Sequence, residues 1–348
     1  MILDQIGLPI VLAPMAGGPS TPELTAAVTD AGGLGLLAAG YLSAAQLAAR
    51  IAAVGELTTG AFGVNLFAPG PPAAPAVYAD YLAALGARFE VGAARHDTDD
   101  WAAKLDLLAA APVPVVTVTF GCPQPAEIAR LHGVGTEVWV TVTSVAEAEH
   151  AVGAGADVLV VQGAEAGGHR AVFRDDPADD AGDPLSLLAL LQLAGAAVEV
   201  PLVATGGLTT GAGVAGALAA GAAAAQIGTA YLRAPEAGTN PVHRAAIGGS
   251  TPTALTRAFT GRRARGIRNA FMDEFGAAAP VAYPEIHHAT AALRAAARAA
   301  GNPDAVNLWA GQTQALAPEL PAGDLTRQLA ADAKAALESA LAQRFQPH

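Results

Sequence analysis

Apolar and polar positions along the chain follow two alternating rhythms. Short apolar runs bounded by glycine, proline or a charge read as strands buried on both faces. The longer stretches between them, with apolar residues three or four apart, read as helices. In order, strands are predicted over Pro9–Ala13, Leu34–Ala38, Ala61–Phe67, Val113–Phe120, Glu137–Val142, Asp157–Gln162, Pro201–Thr205 and Ala224–Ile227. Helix starts are marked by Ser20 or Thr21 ahead of Pro22, by Ser43, by Pro125, by Ser144 and by Pro184, since a hydroxyl at the N-cap or a proline in the first turn suits the unpaired N–H groups there. One helical stretch is expected from the proline-rich loop at Pro69–Pro75 out to Ala111, and another from Thr209 to Ala220.

Eight such units over about 235 residues match the count and length of a (β/α)8 TIM barrel, whose active site lies at the C-terminal ends of the strands. Beyond Pro235 the rhythm breaks. Ala254–Phe275, Tyr283–Ala300 and Asn302–Gln314 are expected to form a smaller helical cap, and Leu325–Phe345 a last helix that packs back on the barrel. The division expected is 1–235 for the barrel, 236–315 for the cap and 316–348 for the C-terminal helix.

Composition narrows the class. Of 348 residues, 52% are hydrophobic and 14% charged, which excludes a disordered chain. The apolar segments are broken too often to span a bilayer, and no basic region precedes the first apolar run. A net charge of −12 argues against a nucleic-acid partner, the short arginine cluster at Arg257–Arg268 notwithstanding. The single cysteine, Cys122, fits a reducing cytoplasm. The expected partners are small molecules, and the protein a monomer or homodimer.

On such a barrel, candidate chemistry lies just after the strands. The sixth strand runs into Gly163-Ala-Glu-Ala-Gly-Gly-His169-Arg170, a glycine turn that carries a histidine; glycine permits positive φ and close approach, and histidine titrates near neutrality. Gly206-Gly207 and Gln226-Ile-Gly228-Thr229 follow strands seven and eight, where such barrels bind a phosphate through backbone N–H groups. Asn65 interrupts an apolar strand and so is expected to point at a partner. No Cys/His cluster has metal spacing, so no metal site is expected, and His287-His288 are adjacent on a helix and point apart. Nucleophile elbow and P-loop are missing, and Lys104 is the only lysine between the first strand and the sixth. A phosphate-bearing cofactor that carries the hard chemistry is the natural alternative.

These motifs resemble a known family. Pro9-Ile-Val-Leu-Ala-Pro-Met-Ala-Gly-Gly18, Gly32-Gly-Leu-Gly35 with Gly40-Tyr41, Gly63-Val-Asn-Leu-Phe67, Gln162-Gly-Ala-Glu-Ala-Gly-Gly-His-Arg170, Thr205-Gly-Gly207, Gln226-Ile-Gly-Thr229 and Leu308-Trp-Ala-Gly-Gln312 are similar, in order and spacing, to the class I nitronate monooxygenases, formerly 2-nitropropane dioxygenases. The resemblance implies FMN at the barrel mouth and oxidation of alkyl nitronates by O2, with propionate 3-nitronate the favoured substrate and aldehyde or ketone plus nitrite the products. It implies that Ala13, Pro14 and Met15 lie near the flavin ring, and that Asn65 and Gln162 make polar contacts to it. Gly167, Gly168, Gly206, Gly207, Gln226, Gly228 and Thr229 would hold the rest of the cofactor. His169 matches the catalytic histidine. As base it would deprotonate a neutral nitroalkane, and as imidazolium it would hold the nitronate. Tyr283 and Trp309 are candidate substrate contacts. Ala171 departs from the glycine usual after His-Arg, which implies an altered loop shape. FMN-dependent NAD(P)H enoyl-acyl-carrier-protein reductases share the barrel, the Glu-Ala-Gly-Gly-His string and the phosphate turns, and are the alternative. Gln162 and the 63–67 and 309–312 motifs favour the monooxygenase.

Overall fold

A computed structural model describes residues 1–177 and 184–344, and the backbone but not the side chain of Arg344. Eight parallel strands form the barrel: β1 (Ile10–Leu12), β2 (Gly35–Ala38), β3 (Phe62–Phe67), β4 (Val115–Thr119), β5 (Glu137–Val142), β6 (Val158–Gln162), β8 (Leu202–Thr205) and β9 (Ala224–Ile227). Their order around the sheet is β1-β9-β8-β6-β5-β4-β3-β2. A bridge between Val11 and Leu34 brings the two ends together. Helices α1 (Pro22–Asp30), α2 (Ala44–Leu57), α3 (Pro75–Gly86), α4 (Trp101–Ala110), α5 (Pro125–His132), α6 (Val145–Ala154), α7 (Leu187–Ala197) and α8 (Gly211–Ala219) lie between them. The expected caps form: Thr21, Ser43 and Ser144 each accept a backbone N–H of the first helical turn. Ser20 does other work, accepting the Met15 N–H at 2.8 Å and so bracing the turn after β1.

Two differences from the sequence expectation have physical causes. The single helix expected up to Ala111 is two, α3 and α4: α3 stops at Gly86, and Asp99 and Asp100, both at φ 52°, keep the chain off the helical path until Trp101. The cap is not purely helical. Two short strands, β10 (Thr253–Thr256) and β11 (Ala264–Ile267), pair antiparallel, and β11 also pairs with β7, the two residues Gly168–His169. Helices α9 (Pro241–Ala246), α10 (Ala270–Phe275), α11 (Glu285–Ala289) and α12 (Ala291–Ala299) complete that region. The last helix, α13 (Ala322–Arg344), lies against α1 and α8 through Ala322, Leu325, Leu329 and Ala333. At Gly211 the approach is so close that an added Cβ would stand 2.3 Å from the Asp332 side chain. Phe345, the expected end of the last helix, lies outside the described residues.

Inside the barrel the residues of alternate strand positions point at one another. Trp139, Val115, Val158, Val160, Val203 and Ala224 fill the interior, and Ile2 closes its lower end. Glu137 fastens that plug, accepting the Ile2 N–H at 2.7 Å and the Trp139 indole N–H at 3.1 Å.

Lys104, only 1% exposed, donates to Asp99 at 2.7 Å and to the Ala39 carbonyl at 3.0 Å, and the other Asp99 oxygen accepts the Tyr41 N–H at 2.7 Å. This buried pair therefore fixes the Gly40–Tyr41 turn after β2. Removing one partner strands the other in a poorly solvated site. Lys104→Met is expected to destabilise the fold by about 3 kcal/mol, read from the denaturant midpoint, and an unchanged midpoint would show that water takes over the role of the ammonium.

Candidate active site

Along each strand the inward positions change from aliphatic to polar as the C-terminal end is reached. Two residues beyond the filled interior, the same face carries Asn65, Thr141, Gln162, Thr205 and Gln226, which with Ala13 and Thr119 form the floor of a cavity of about 500 Å³. A cavity of that size suits a cofactor-sized ligand. Asn65 Nδ2 donates to Thr117 Oγ1 and to Thr119 Oγ1, each at 2.9 Å, which turns its carbonyl oxygen the other way. That oxygen is buried with no partner among the described residues, as is Gln226 Oε1. Buried acceptors without donors are rare in folded proteins, and each asks for an explanation.

Gln162 behaves differently. Its oxygen accepts from Arg170 Nη1 and from the Ala171 N–H, both at 3.0 Å, and its Nε2 donates to the His169 carbonyl at 3.1 Å. Its first role is thus to hold the segment that follows the glycine turn. Ala171 is buried in that segment and its Cβ is accommodated there. Arg170, which the sequence left without a role, also caps the end of β6, donating to the Gly163 carbonyl at 2.6 Å and the Gln162 carbonyl at 3.3 Å. Glu165, likewise unassigned before, accepts the Leu187 N–H with both oxygens, at 3.2 and 3.0 Å, and so tethers the start of α7.

His169 stands on β7, between the barrel and the cap. Its Nε2 lies 3.0 Å from Thr260 Oγ1. In the tautomer in which Nε2 carries the proton, His169 donates to Thr260 and the Thr260 hydroxyl donates to the Arg262 carbonyl at 3.2 Å. The lone pair is then on Nδ1, which makes no hydrogen bond among the described residues. Phe120, Tyr283 and Trp309 surround the ring with centroids 5.6, 5.6 and 5.5 Å away. Burial lowers the His169 pKa to about 3, helped by the charges of Arg262 and Arg294, so the imidazole is neutral.

The two glycine turns lie together on the far side of the mouth. Gly206 and Gly207 have φ of 123° and 68°, a path that an L side chain resists. Thr229 Oγ1 accepts the Gly311 N–H at 3.0 Å, and Thr313 donates to the Gly207 carbonyl at 2.9 Å. The cap thus reaches down to both turns through residues 311–313.

Ala13, Pro14, Met15, Asn65, Gln162, Gly167, Gly168, His169, Gly206, Gly207, Gln226, Gly228, Thr229 and Trp309 all line this one cavity. Tyr283 does not. It lines a smaller neighbouring cavity of about 270 Å³ and backs the His169 ring. The lining also includes residues that sequence reasoning gave no role: Tyr41, Phe120, His243, Thr260, His287, Arg294 and Arg298. Ala291, Arg294 and Arg298 fall on one helical face, a signal that periodicity offers but that reads as an exposed polar stripe when nothing shows what covers it. His287 and His288 do point apart, His287 into the cavity and stacked on Tyr41 at 4.1 Å, and His288 towards Asp97 at 2.8 Å.

A family model described as nitronate monooxygenase matches residues 2–332. The chain is 41% identical over 339 residues to a nitronate monooxygenase of Pseudomonas aeruginosa, covering 92% of this chain and 95% of that protein. It is 38% identical over 355 residues to a nitronate monooxygenase of Paraburkholderia phytofirmans, covering 97% and 96%. Among solved structures, the nitroalkane oxidase from Streptomyces ansochromogenes superposes with a TM-score of 0.95 at 44% identity, covering 97% of this chain and 99% of that one. FabK from Thermotoga maritima is more distant, with a TM-score of 0.75 at 27% identity over 97% and 96%.

Three cavity histidines share one electrostatic fate. Burial lowers His169 to about 3, His243 to about 4 and His287 well below its usual value. An unfolded histidine titrates near 6.5. Below that pH the unfolded chain binds protons that the folded one refuses, so the stability is complete above about 6.5 and is lost as pH falls towards the folded values. Within that window each histidine removes about 1.4 kcal/mol per pH unit. The Tm is expected to drop from pH 7.5 to pH 5, and His243→Gln to make that drop shallower. An equal slope in the two proteins would refute the assignment for His243.

Proposed function

The chain belongs to the nitronate monooxygenase family and is an oxidoreductase, and from that premise we propose that it oxidises alkyl nitronates with FMN and O2, propionate 3-nitronate foremost, to an aldehyde or ketone plus nitrite. The observation that carries the reading is the placement of a neutral His169 on the wall of a cavity whose lining holds no carboxylate among the described residues. An anionic substrate meets no like charge there, and the low-polarity surroundings strengthen every favourable contact it makes.

The residues present fit FMN. Asn65 Oδ1 and Gln226 Oε1 are buried acceptors that lack a donor, and a flavin ring and ribityl chain carry N–H and O–H groups. Gly206, Gly207, Gly228 and Thr229 offer backbone N–H groups at the strand ends where barrels take a phosphate. FMN, when bound, supplies the electron acceptor that the side chains lack.

The side chains hold and move the proton. With Nε2–H donated to Thr260, Nδ1 is the base for the Cα proton of a neutral nitroalkane. With the ring neutral by burial, this role is favoured over that of an imidazolium holding the nitronate. Phe120, Trp309 and Tyr283 keep bulk water from the ring.

His169→Asn is expected to keep its flavin absorbance and to lose about 10²- to 10⁴-fold in kcat/KM for neutral nitroalkanes. Because the wild-type base is unprotonated above about pH 3, its own titration should cause no fall in that parameter from pH 8 to pH 5. Full turnover by the variant would remove His169 from the chemistry. Oxygen uptake across nitronates of increasing chain length tests the substrate reading. Rapid anaerobic bleaching of the flavin by NADH, without such uptake, would instead favour the reductase.

A further inference from the structure

Helix α12 turns Ala291, Arg294 and Arg298 to the cavity, with His287 one turn before them. Arg294 is 6% exposed. Its Nε donates to the Thr290 carbonyl and hydroxyl at 3.3 and 3.2 Å, and its Nη2 to the His287 carbonyl at 2.6 Å. Nη1 makes no hydrogen bond among the described residues, and no carboxylate there pairs with the group. Arg298, half-buried nearer the rim, also makes no ion pair among the described residues. Burial pulls the Arg294 pKa down to about 10, so it remains cationic at neutral pH. A buried guanidinium is ordinarily paired. Here it is held by neutral carbonyls, and its charge is directed at the cavity.

Its position separates it from the phosphate-type turns. His287 stacks on Tyr41, which follows β2, and Tyr41 meets Phe67 at the end of β3 with centroids 5.5 Å apart. The sheet order sets β2, β3 and β4 on one side of the ring and the β8 and β9 turns on the other. An anion at Arg294 is therefore a different anion from one held at Gly206-Gly207, and Arg294 is near enough to lower the His169 pKa.

We propose that Arg294 is the specificity-determining residue that binds the planar two-oxygen anion of the substrate, with Arg298 drawing that anion in at the rim. The inference rests on the nitronate reading above. A nitronate O–N–O group and a carboxylate O–C–O group share the geometry that a guanidinium recognises, so either end of a propionate nitronate satisfies it. The residue sets affinity for charged over neutral ligands, and His169 performs the proton step.

The test uses flavin-loaded protein. Calorimetric titration of the wild type with propionate and with propionamide reads charge selectivity without any turnover, so it stands even if nitronate oxidation fails. Propionate is expected to bind at least tenfold more tightly than the amide, and equal affinities overturn the proposal. In Arg294→Gln, KM for nitronates should rise about 10- to 100-fold with kcat changed far less, while Arg294→Lys recovers most of the affinity. A rise shared by ethyl nitronate and propionate 3-nitronate places the nitronate head on Arg294. A rise confined to propionate 3-nitronate places its carboxylate there. A folded, flavin-loaded Arg294→Gln with KM unchanged within twofold for both substrates overturns the assignment. Flavin content and Tm identify a variant that has merely failed to fold, and the wild-type titration then decides alone.

Discussion

The candidate site depends on one event in the chain path: after β6 the backbone leaves the barrel sheet and pairs with the cap. Gly168 and His169 oppose Arg265 and Ala264, and the Arg170 N–H donates to the Arg263 carbonyl at 2.8 Å. The turn that allows this is unusually constrained. A Cβ on Gly167 would stand 2.5 Å from the backbone at Ala310 and Gly311, and Gly168 has φ 74°. Gln162 then fastens the segment from below with both ends of its amide. His169 is consequently positioned by backbone pairing on one side and a side-chain amide on the other, which is the rigidity that proton transfer at a fixed distance requires.

Charge is arranged around that segment in an unusual way. The chain is acidic overall, with a net charge of −12, yet among the described residues the cavity lining has arginines and no carboxylate. The cations are stabilised mostly by dipoles. Arg170 and Arg294 donate to carbonyls, and Arg262 donates to the carbonyls of Arg170 and Val172 while lying over the Phe120 ring at 4.1 Å. Dipoles offset the desolvation of a guanidinium without cancelling its charge. The guanidinium charges therefore persist beside the cavity, where those of Arg262 and Arg294 add to burial in keeping His169 neutral, and they favour an anionic ligand.

The barrel was legible because its strands are apolar, short and separated by capped helices, and the strand limits fall within about two residues of those expected. The site floor was legible for the same reason, since a polar residue at the end of an apolar strand, as at Asn65 and Gln162, is conspicuous. The cap was not. β11 is Ala-Arg-Gly-Ile, and its one arginine, Arg265, with Arg262 and Arg263 before it, reads as part of a basic cluster rather than as a strand. Only tertiary pairing with β10 and β7 makes it one. Arg294 was hidden for a related reason. On a helix rich in alanine and arginine an inward cation looks like a solvated one until Tyr41 and His287 are seen to cover it.

The cap and the phosphate-type turns also belong to one connected unit. The Glu165 carbonyl accepts the Gln312 N–H at 3.0 Å, the Gly311 N–H reaches Thr229, and the Thr313 hydroxyl contacts both the Gly207 carbonyl and Thr209 Oγ1. His243 adds a bond to the Trp309 carbonyl at 2.9 Å from the other side. Residues 309–313 thus join the aromatic wall beside His169 to the two glycine turns across the mouth. A ligand that orders those turns stabilises the same bonds that hold the cap, because anything bound only by the folded arrangement shifts the equilibrium towards it. Residues 309–313 are thus the segment through which the aromatic wall beside His169 and the two glycine turns share their hydrogen bonds.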